Sequence, residues 1–435
     1  MDGSGIDVSQ TLHKEKGVVA MMLEATRRSD PELYGLVEEE LKRQQENIEM
    51  IASESTACEE LLELSGCVFM NKTTEGYPGA RFQAGSQVAD KMEHLGIERA
   101  KALYGAEHAN LQPYSGSTAN YGVYATVLQP GDCVLGMRLD HGGHLTHGSP
   151  ANFMSKFYRF VSYGLNEETE LIDYDELEKL AREHRPKLII AGGSAYPRLI
   201  DYERIADVAH SVGGLLMVDM AHISGLVAAK VLPSPVPHAD FVTSSASKTL
   251  CGPRGGLILC KAIHAKALDR GVFPGSVSSI HLNVMAAKAW LFKHAATEAF
   301  RNTMLQVVAN AQALAEALGQ NGFRIVSGGT DNHIVLVDLR PKKITGKVFQ
   351  DALETVGITI NKNMIPSDPE KPFITSGVRI GTTAVTQRGL REPEIKRIAA
   401  IMTRVAASPE DRSVLDSCKE EALALISHFP LYPKD

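Results

Sequence analysis

One lysine stands among small side chains in the stretch Phe241-Val-Thr-Ser-Ser-Ala-Ser-Lys248-Thr-Leu-Cys-Gly-Pro-Arg254-Gly-Gly256. An unhindered amine there can condense with an aldehyde cofactor, although the same residues would also make a surface turn after a strand. Upstream, Leu215-Leu-Met-Val-Asp219-Met-Ala-His222 is an apolar run that ends in an acid. Open α/β sheets place their ligand chemistry at the carboxyl ends of strands, where Asp219 would stand. An acid that keeps a pyridine nitrogen protonated, paired with an amine that carries an aldehyde, suggests pyridoxal phosphate.

Three loops add further groups. Residues 71–85 combine glycine and proline with Glu75, Tyr77, Arg81 and Phe82, a mixture richer than a plain connection needs. Tyr114-Ser115-Gly116-Ser117 precedes an apolar helical run. Such a start can hold a phosphate on backbone amides, and it also reads as an ordinary N-cap. Asp140-His141-Gly-Gly-His144-Leu-Thr-His147-Gly spaces three histidines three apart. Its glycines disfavour the helix that would align them, and no acid or cysteine cluster completes a metal shell, so no metal is expected. One imidazole stacked on a flat ring is the alternative, and a hydrogen-bonded loop histidine is another.

These groups need a scaffold. Strands are expected at 187–192, 215–219, 239–243 and 256–260, with a helix at 202–211, the alternation of a mostly parallel sheet covered by helices. The pattern at 282–318 is almost wholly helical and leads into a second unit. There, strands at 324–327, 333–338 and 358–361 mix with helices at 346–355 and 392–405. A helix starting at Ser29-Asp30-Pro31-Glu32 offers Leu33, Leu36, Val37 and Leu41 as a packing face. The expected division is an N-terminal arm and helices (1–60), a large α/β domain (61–300) and a smaller C-terminal α/β domain (301–435).

The chain of 435 residues carries a net charge of −7, with no basic footprint for nucleic acid. No segment reaches the roughly 18 apolar residues of a membrane span. Six cysteines lie scattered without CxxC spacing, which suggests reduced thiols and a cytoplasmic protein. The acidic first fifteen residues do not read as a targeting peptide.

In this order, the motifs resemble those of serine hydroxymethyltransferases, pyridoxal-phosphate enzymes of the aspartate-aminotransferase fold. The likeness runs from about Ser29 onward. It rests on Glu-Gly-Tyr-Pro-Gly at 75–79, His-Gly-Gly-His-Leu-Thr-His-Gly at 141–148 and Asp-Met-Ala-His at 219–222. Lys-Thr-Leu-Cys-Gly-Pro-Arg-Gly-Gly at 248–256 and Thr-Ser-Gly-Val-Arg-Ile-Gly-Thr at 375–382 complete it. The resemblance implies that Lys248 carries the cofactor, Asp219 pairs with its ring nitrogen, His144 stacks on the ring, and His222 lies near the ring hydroxyl with Ser194. It places the phosphate on Ser115, Gly116 and Ser117, with Ser278 and Ser279 reaching the partner's phosphate. Arg379 and Ser53 would take the substrate carboxylate. Glu75, from a neighbouring subunit, would handle protons at the substrate hydroxyl. Phe82, Leu139, Gly143, Leu145 and Asn363 fall where tetrahydrofolate is held. A homodimer, or a tetramer of such dimers, is implied as the active unit.

The chain departs from the family pattern around the site. Thr73 replaces a tyrosine, Phe82-Gln83 a tyrosine pair, Ser244-Ser245-Ala246 three threonines, Ser247 a histidine, Ser278-Ser279 two glycines and Tyr114 a histidine. Smaller residues at 73, 246 and 247 suggest room for a methyl on Cα, hence D-alanine as acceptor and 2-methylserine as product. The other readings are ordinary serine–glycine interconversion and a folate-independent aldolase. An aminotransferase would not need Glu75, and a binding protein would not need Lys248.

Overall fold

The computed structural model describes residues 23–432. The start of the expected N-terminal arm, including its brief apolar piece at 18–23, therefore lies almost wholly outside the described residues.

Seven strands form the main sheet: β1 (His108–Asn110), β2 (Cys133–Met137), β3 (Arg159–Tyr163), β4 (Leu188–Ala191), β5 (Leu215–Asp219), β6 (Phe241–Ser245) and β7 (Gly256–Cys260). Their order is β1-β7-β6-β5-β4-β2-β3. β7 runs antiparallel to both its neighbours, and the other pairs are parallel. The central strands are continuous apolar runs because both faces are covered. Alternation assigns the faces: Ile189 and Ala191 enter one core, Leu188 and Ile190 the other.

The crossover from β4 to β5 is the helix Tyr202–Ser211. Asp201 caps it, its carboxylate accepting from Arg204 N–H at 3.0 Å. That right-handed return delivers β5, and with it Asp219, to the middle of the sheet's carboxyl edge.

A second sheet of four antiparallel strands packs on its own core, which includes Val335, Val337, Val378 and Ile380. Ile48 and Met50 belong to this core, because residues 48–49 pair parallel with 358–359. The helix Glu298–Gln320 joins the two bodies, burying Phe300, Met304 and Val307 in the large core and Leu314 and Leu318 in the small one.

Several expectations change in detail. The helical stretch after 282 breaks at Ala296 and Thr297, where the Thr297 hydroxyl caps a new helix by accepting from Phe300 N–H. The strand expected at 324–327 stops after two residues, since Ser327 takes a left-handed turn (φ 56°). Residues 358–361 split between two sheets. Helix Pro31–Glu46 buries none of its residues, and Leu33 and Leu36 stay 50% and 58% exposed. Val37 and Leu41 are half-buried and line a pocket with Leu62 and Tyr432, so the Leu33 and Leu36 part of the stripe is what one chain leaves open. All six cysteines are free thiols, four of them buried. No described helix is long and apolar enough to cross a membrane.

Candidate active site

Asp219 ends β5 and is buried. Its Oδ1 accepts from Ala221 N–H at 3.0 Å. Its Oδ2 accepts from Asn120 Nδ2 at 2.9 Å and from His147 Nε2 at 3.1 Å. Burial alone would raise this carboxyl. The His147 hydrogen bond, reinforced by the nearby Lys248 charge, outweighs it and holds the group well below the carboxylate range. Asp219 is therefore a fixed negative charge at working pH.

Lys248 follows the end of β6; its carbonyl accepts from Cys251 N–H at 2.8 Å, while its amine makes no hydrogen bond among the described residues. Burial lowers its amine to about 8; Asp219 opposes that shift, and Arg379 and Arg254 add to it. A substantial neutral fraction near pH 8 is what a lysine needs to attack a carbonyl. Thr249 anchors the lysine from behind, its hydroxyl donating to the His222 carbonyl at 2.7 Å and accepting from Gly225 N–H at 3.0 Å.

The histidine loop is two short 3-10 turns, Leu139–His141 and Leu145–His147. His144 N–H donates to His147 Nδ1 at 3.3 Å, which leaves His147 Nε2 as the donor to Asp219. His144 Nδ1 accepts from Thr146 N–H at 3.2 Å, and burial lowers this imidazole to about 4, so it is neutral. His141 turns away to accept from Leu165 N–H. His144, His147 and Asp219 do bring donor atoms within 4.8 Å of one another. An acid from a distant strand thus joins two of the histidines, which their spacing did not show; His147 spends both ring nitrogens on Asp219 and the His144 N–H, and His144 Nδ1 is engaged by Thr146. Gly143 is required where it stands, since a Cβ would lie 2.2 Å from the Met137 carbonyl.

Ser115 caps the helix Gly116–Val127, its hydroxyl accepting from Thr118 N–H at 3.2 Å. The amides of Gly116 and Ser117 remain directed outward at the positive end of that helix. His222 is buried, stacks on His333 at 5.7 Å, and leaves Nδ1 without a partner among the described residues. Arg379 lies on the strand Gly377–Gly381, opposite Asn361. Its Nη1 donates to the Ser194 carbonyl at 2.7 Å, and Nε and Nη2 donate to Asn361 Oδ1 at 3.2 and 3.1 Å. One N–H on each terminal nitrogen is left for a carboxylate. Ser53 leads away from a segment docked on the same strand, where Gly381 N–H donates to the Met50 carbonyl at 2.8 Å.

These groups fit pyridoxal phosphate. An orphaned buried nitrogen on His222, an unpaired amine, a carboxylate with acceptor capacity left and two free helix-start amides match its hydroxyl, aldehyde, ring nitrogen and phosphate.

The remaining expected residues form a separate cluster. Gln83 and Ser278 bond Glu75, Ser279 bonds the Thr74 carbonyl beside it, and no hydrogen bond among the described residues links them to Lys248 or Asp219. Thr73 is exposed, as are Phe82 (76%), Leu139 (46%) and Leu145 (50%). Asn363 donates to the Met364 carbonyl at 2.6 Å from the strand Asn361–Asn363. Ala246 lies fully buried in the large core, so its small side chain answers to core packing and opens no space in the site.

Sequence reasoning assigned no partner to His147 and passed over Asn120, Asn361 and Ser55. Asn120 is fully buried, accepting from Thr243 Oγ1 at 2.6 Å while it donates to Asp219. A lone amide inside an apolar helical run was its signal. Ser55 donates to the Ser247 carbonyl at 3.0 Å, beside Lys248, and nothing in its local spacing announces that contact.

The model of the serine hydroxymethyltransferase family matches residues 26–402, a span that takes in Ser53, Lys248 and Arg379 alike. The α/β sheet with Asp219 at its carboxyl edge is that family's fold, and the chain belongs to the serine hydroxymethyltransferase family of pyridoxal-phosphate-dependent one-carbon transferases.

Proposed function

We propose that this protein moves a hydroxymethyl group between tetrahydrofolate and a small amino acid, and that its preferred pair is D-alanine and 2-methylserine. The observation that carries the transfer chemistry is the unpaired Lys248 amine beside the permanently ionised Asp219. Pyridoxal phosphate, when bound, supplies an electron-accepting ring conjugated to the amino acid's nitrogen. Asp219 keeps that ring nitrogen charged, and Ser115, Gly116 and Ser117 receive the phosphate. His144, neutral, offers its face; His222, with Ser194, lies by the ring hydroxyl. Lys248 is the amine that would hold the group's aldehyde.

Arg379 orients the substrate carboxylate through its two remaining N–H groups, with Ser53 alongside. Glu75, from the second subunit of a homodimer, moves the proton at the substrate hydroxyl. Thr73, Ser278 and Ser279 come with it across the interface. The exposed Leu33 and Leu36 stripe supports association of chains. Phe82, Leu139, Gly143, Leu145 and Asn363 border the folate, and the exposure of three of these apolar side chains suits a flat ligand. The free thiols suit a cytoplasmic protein.

The acceptor preference rests on Thr73 and Ser247. Ser247 is half-buried next to Lys248, with its carbonyl fixed by Ser55, and presents a hydroxymethyl side chain where a larger group would project. Burying one methyl contributes about 0.8 kcal/mol, and a single methylene discriminates by ~10–200-fold. D-Alanine should therefore exceed glycine in kcat/KM while glycine activity persists. Thr73→Tyr should penalise D-alanine more than glycine, because a clash costs more than an unfilled gap. Both ratios are measured with and without tetrahydrofolate. A starting preference for glycine, or a ratio unmoved by the substitution, returns the protein to ordinary serine–glycine exchange. Full turnover without folate makes it an aldolase.

A further inference from the structure

Four of the residues at which this chain departs from the family pattern, Gln83, Tyr114, Ser278 and Ser279, are wired together around one carboxylate. Glu75 precedes a hairpin of residues 76–77 and 80–81, pinned to the helix Gln87–Tyr104 by Arg81, which bonds Asp90 (2.8 Å) and Glu93. Ser278 Oγ donates to Glu75 Oε1 at 2.5 Å. Gln83 Nε2 donates to Oε2 at 2.8 Å, while Gln83 Oε1 accepts from Glu75 N–H at 2.8 Å. One amide thus grips both the main chain and the side chain of Glu75.

Ser278 is itself held. Its N–H donates to Tyr114 Oη at 3.2 Å, and that hydroxyl donates to the Ser279 carbonyl at 2.6 Å. Ser279 Oγ and Ile280 N–H both donate to the Thr74 carbonyl, closing the turn onto the residue before Glu75. Tyr114 immediately precedes Ser115, so the turn is tied to the start of the helix whose amides face outward. Glycines at 278 and 279 would have no hydroxyl to give.

We propose that Gln83, Ser278 and Tyr114 are positioning residues that clamp the Glu75 carboxylate in one orientation as a proton acceptor. The proposal rests on the proton-transfer role assigned to Glu75. Both donors stabilise the carboxylate over the acid, and the Ser278 bond, then that of Gln83, hold Glu75 below its ordinary range. The neighbouring charges are engaged elsewhere: Lys72 donates to the Thr73 carbonyl, Arg81 faces Asp90 and Glu93, and His281 packs on Tyr114. The clamp is therefore made of neutral donors. It leaves each carboxylate oxygen a further lone pair for a substrate proton.

The test follows the Glu75 carboxylate by infrared difference spectroscopy of the holoenzyme against Glu75→Gln, across pH, in Ser278→Ala and Gln83→Leu. Loss of a donor that favours the ionised form raises the carboxyl's pKa. Each variant should therefore shift the Glu75 titration to higher pH, and the acid limb of kcat/KM should move with it. Tyr114→Phe should broaden the carboxylate band by freeing the turn. A titration midpoint unmoved in both variants overturns the clamp, whatever activity does. The proton-transfer role stands or falls separately, on the activity of Glu75→Gln.

Discussion

Glu75→Gln should slow hydroxymethyl transfer by about 10²–10⁴-fold, the range of a lost general acid–base group. Cofactor content and amino acid affinity should stay near those of the unaltered protein. The reason is the separation of two clusters. Lys248, Asp219, His144 and Arg379 form one set, and Glu75 belongs to another built with Gln83 and Ser278. Glutamine keeps the shape and can still bond both neighbours, so the hairpin should hold. Loss of cofactor in this variant would mean that Glu75 shapes the site instead. A mixed dimer of Glu75→Gln and Lys248→Ala subunits should regain part of the activity, because one of its two sites would be intact. No recovery, with subunit exchange verified, would place Glu75 outside the partner's site.

Asp219→Asn should be the other severe lesion. Removing one partner of a buried charge pair costs about 3–5 kcal/mol, which is roughly 10²–10⁴ in rate when the charge is needed in the transition state. The change also reaches Lys248. Asp219 opposes the burial that lowers this amine, so its loss should move the lysine further below its ordinary value. In the cofactor-free protein the Lys248 amine should therefore titrate at lower pH in Asp219→Asn, read from the pH dependence of its trapping by an added aldehyde, while turnover of the holoenzyme collapses. Near-normal turnover would mean that another group neutralises the ring nitrogen.

The elements that carry the chemistry were legible because their signals are local. Leu215–Asp219, Tyr202–Ser211 and Gly256–Cys260 have the bounds their apolar runs and flanking residues suggest. Asp219 announces itself as an acid ending an apolar run and Lys248 as one amine among small side chains, whereas Arg379 came from the family's motif. The rest depends on contacts between distant segments. Asn120 and His147 reach Asp219 across 99 and 72 residues, and Ser55 reaches Ser247 across 192. No spacing rule reveals such pairs. Ala246 misled for the same reason: its neighbour Ser247 is half-buried beside Lys248, while Ala246 points into the core. Helix Pro31–Glu46 has an amphipathic pattern of which Leu33 and Leu36 stay uncovered in one chain, and periodicity cannot say what covers them.

Borohydride reduction of the purified yellow protein, followed by peptide mapping, tests the central assignment most directly. Lys248 combines a lowered amine with no hydrogen-bond partner among the described residues. Lys288, also buried, donates to the carbonyls of Leu111 and Gly256 and has no aldehyde-sized opening beside it in Gly255. The pyridoxyl group should be recovered on Lys248 alone, and Lys248→Ala should lose the trapped adduct. Recovery of the adduct on Lys187, Lys261 or Lys288 would contradict the assignment.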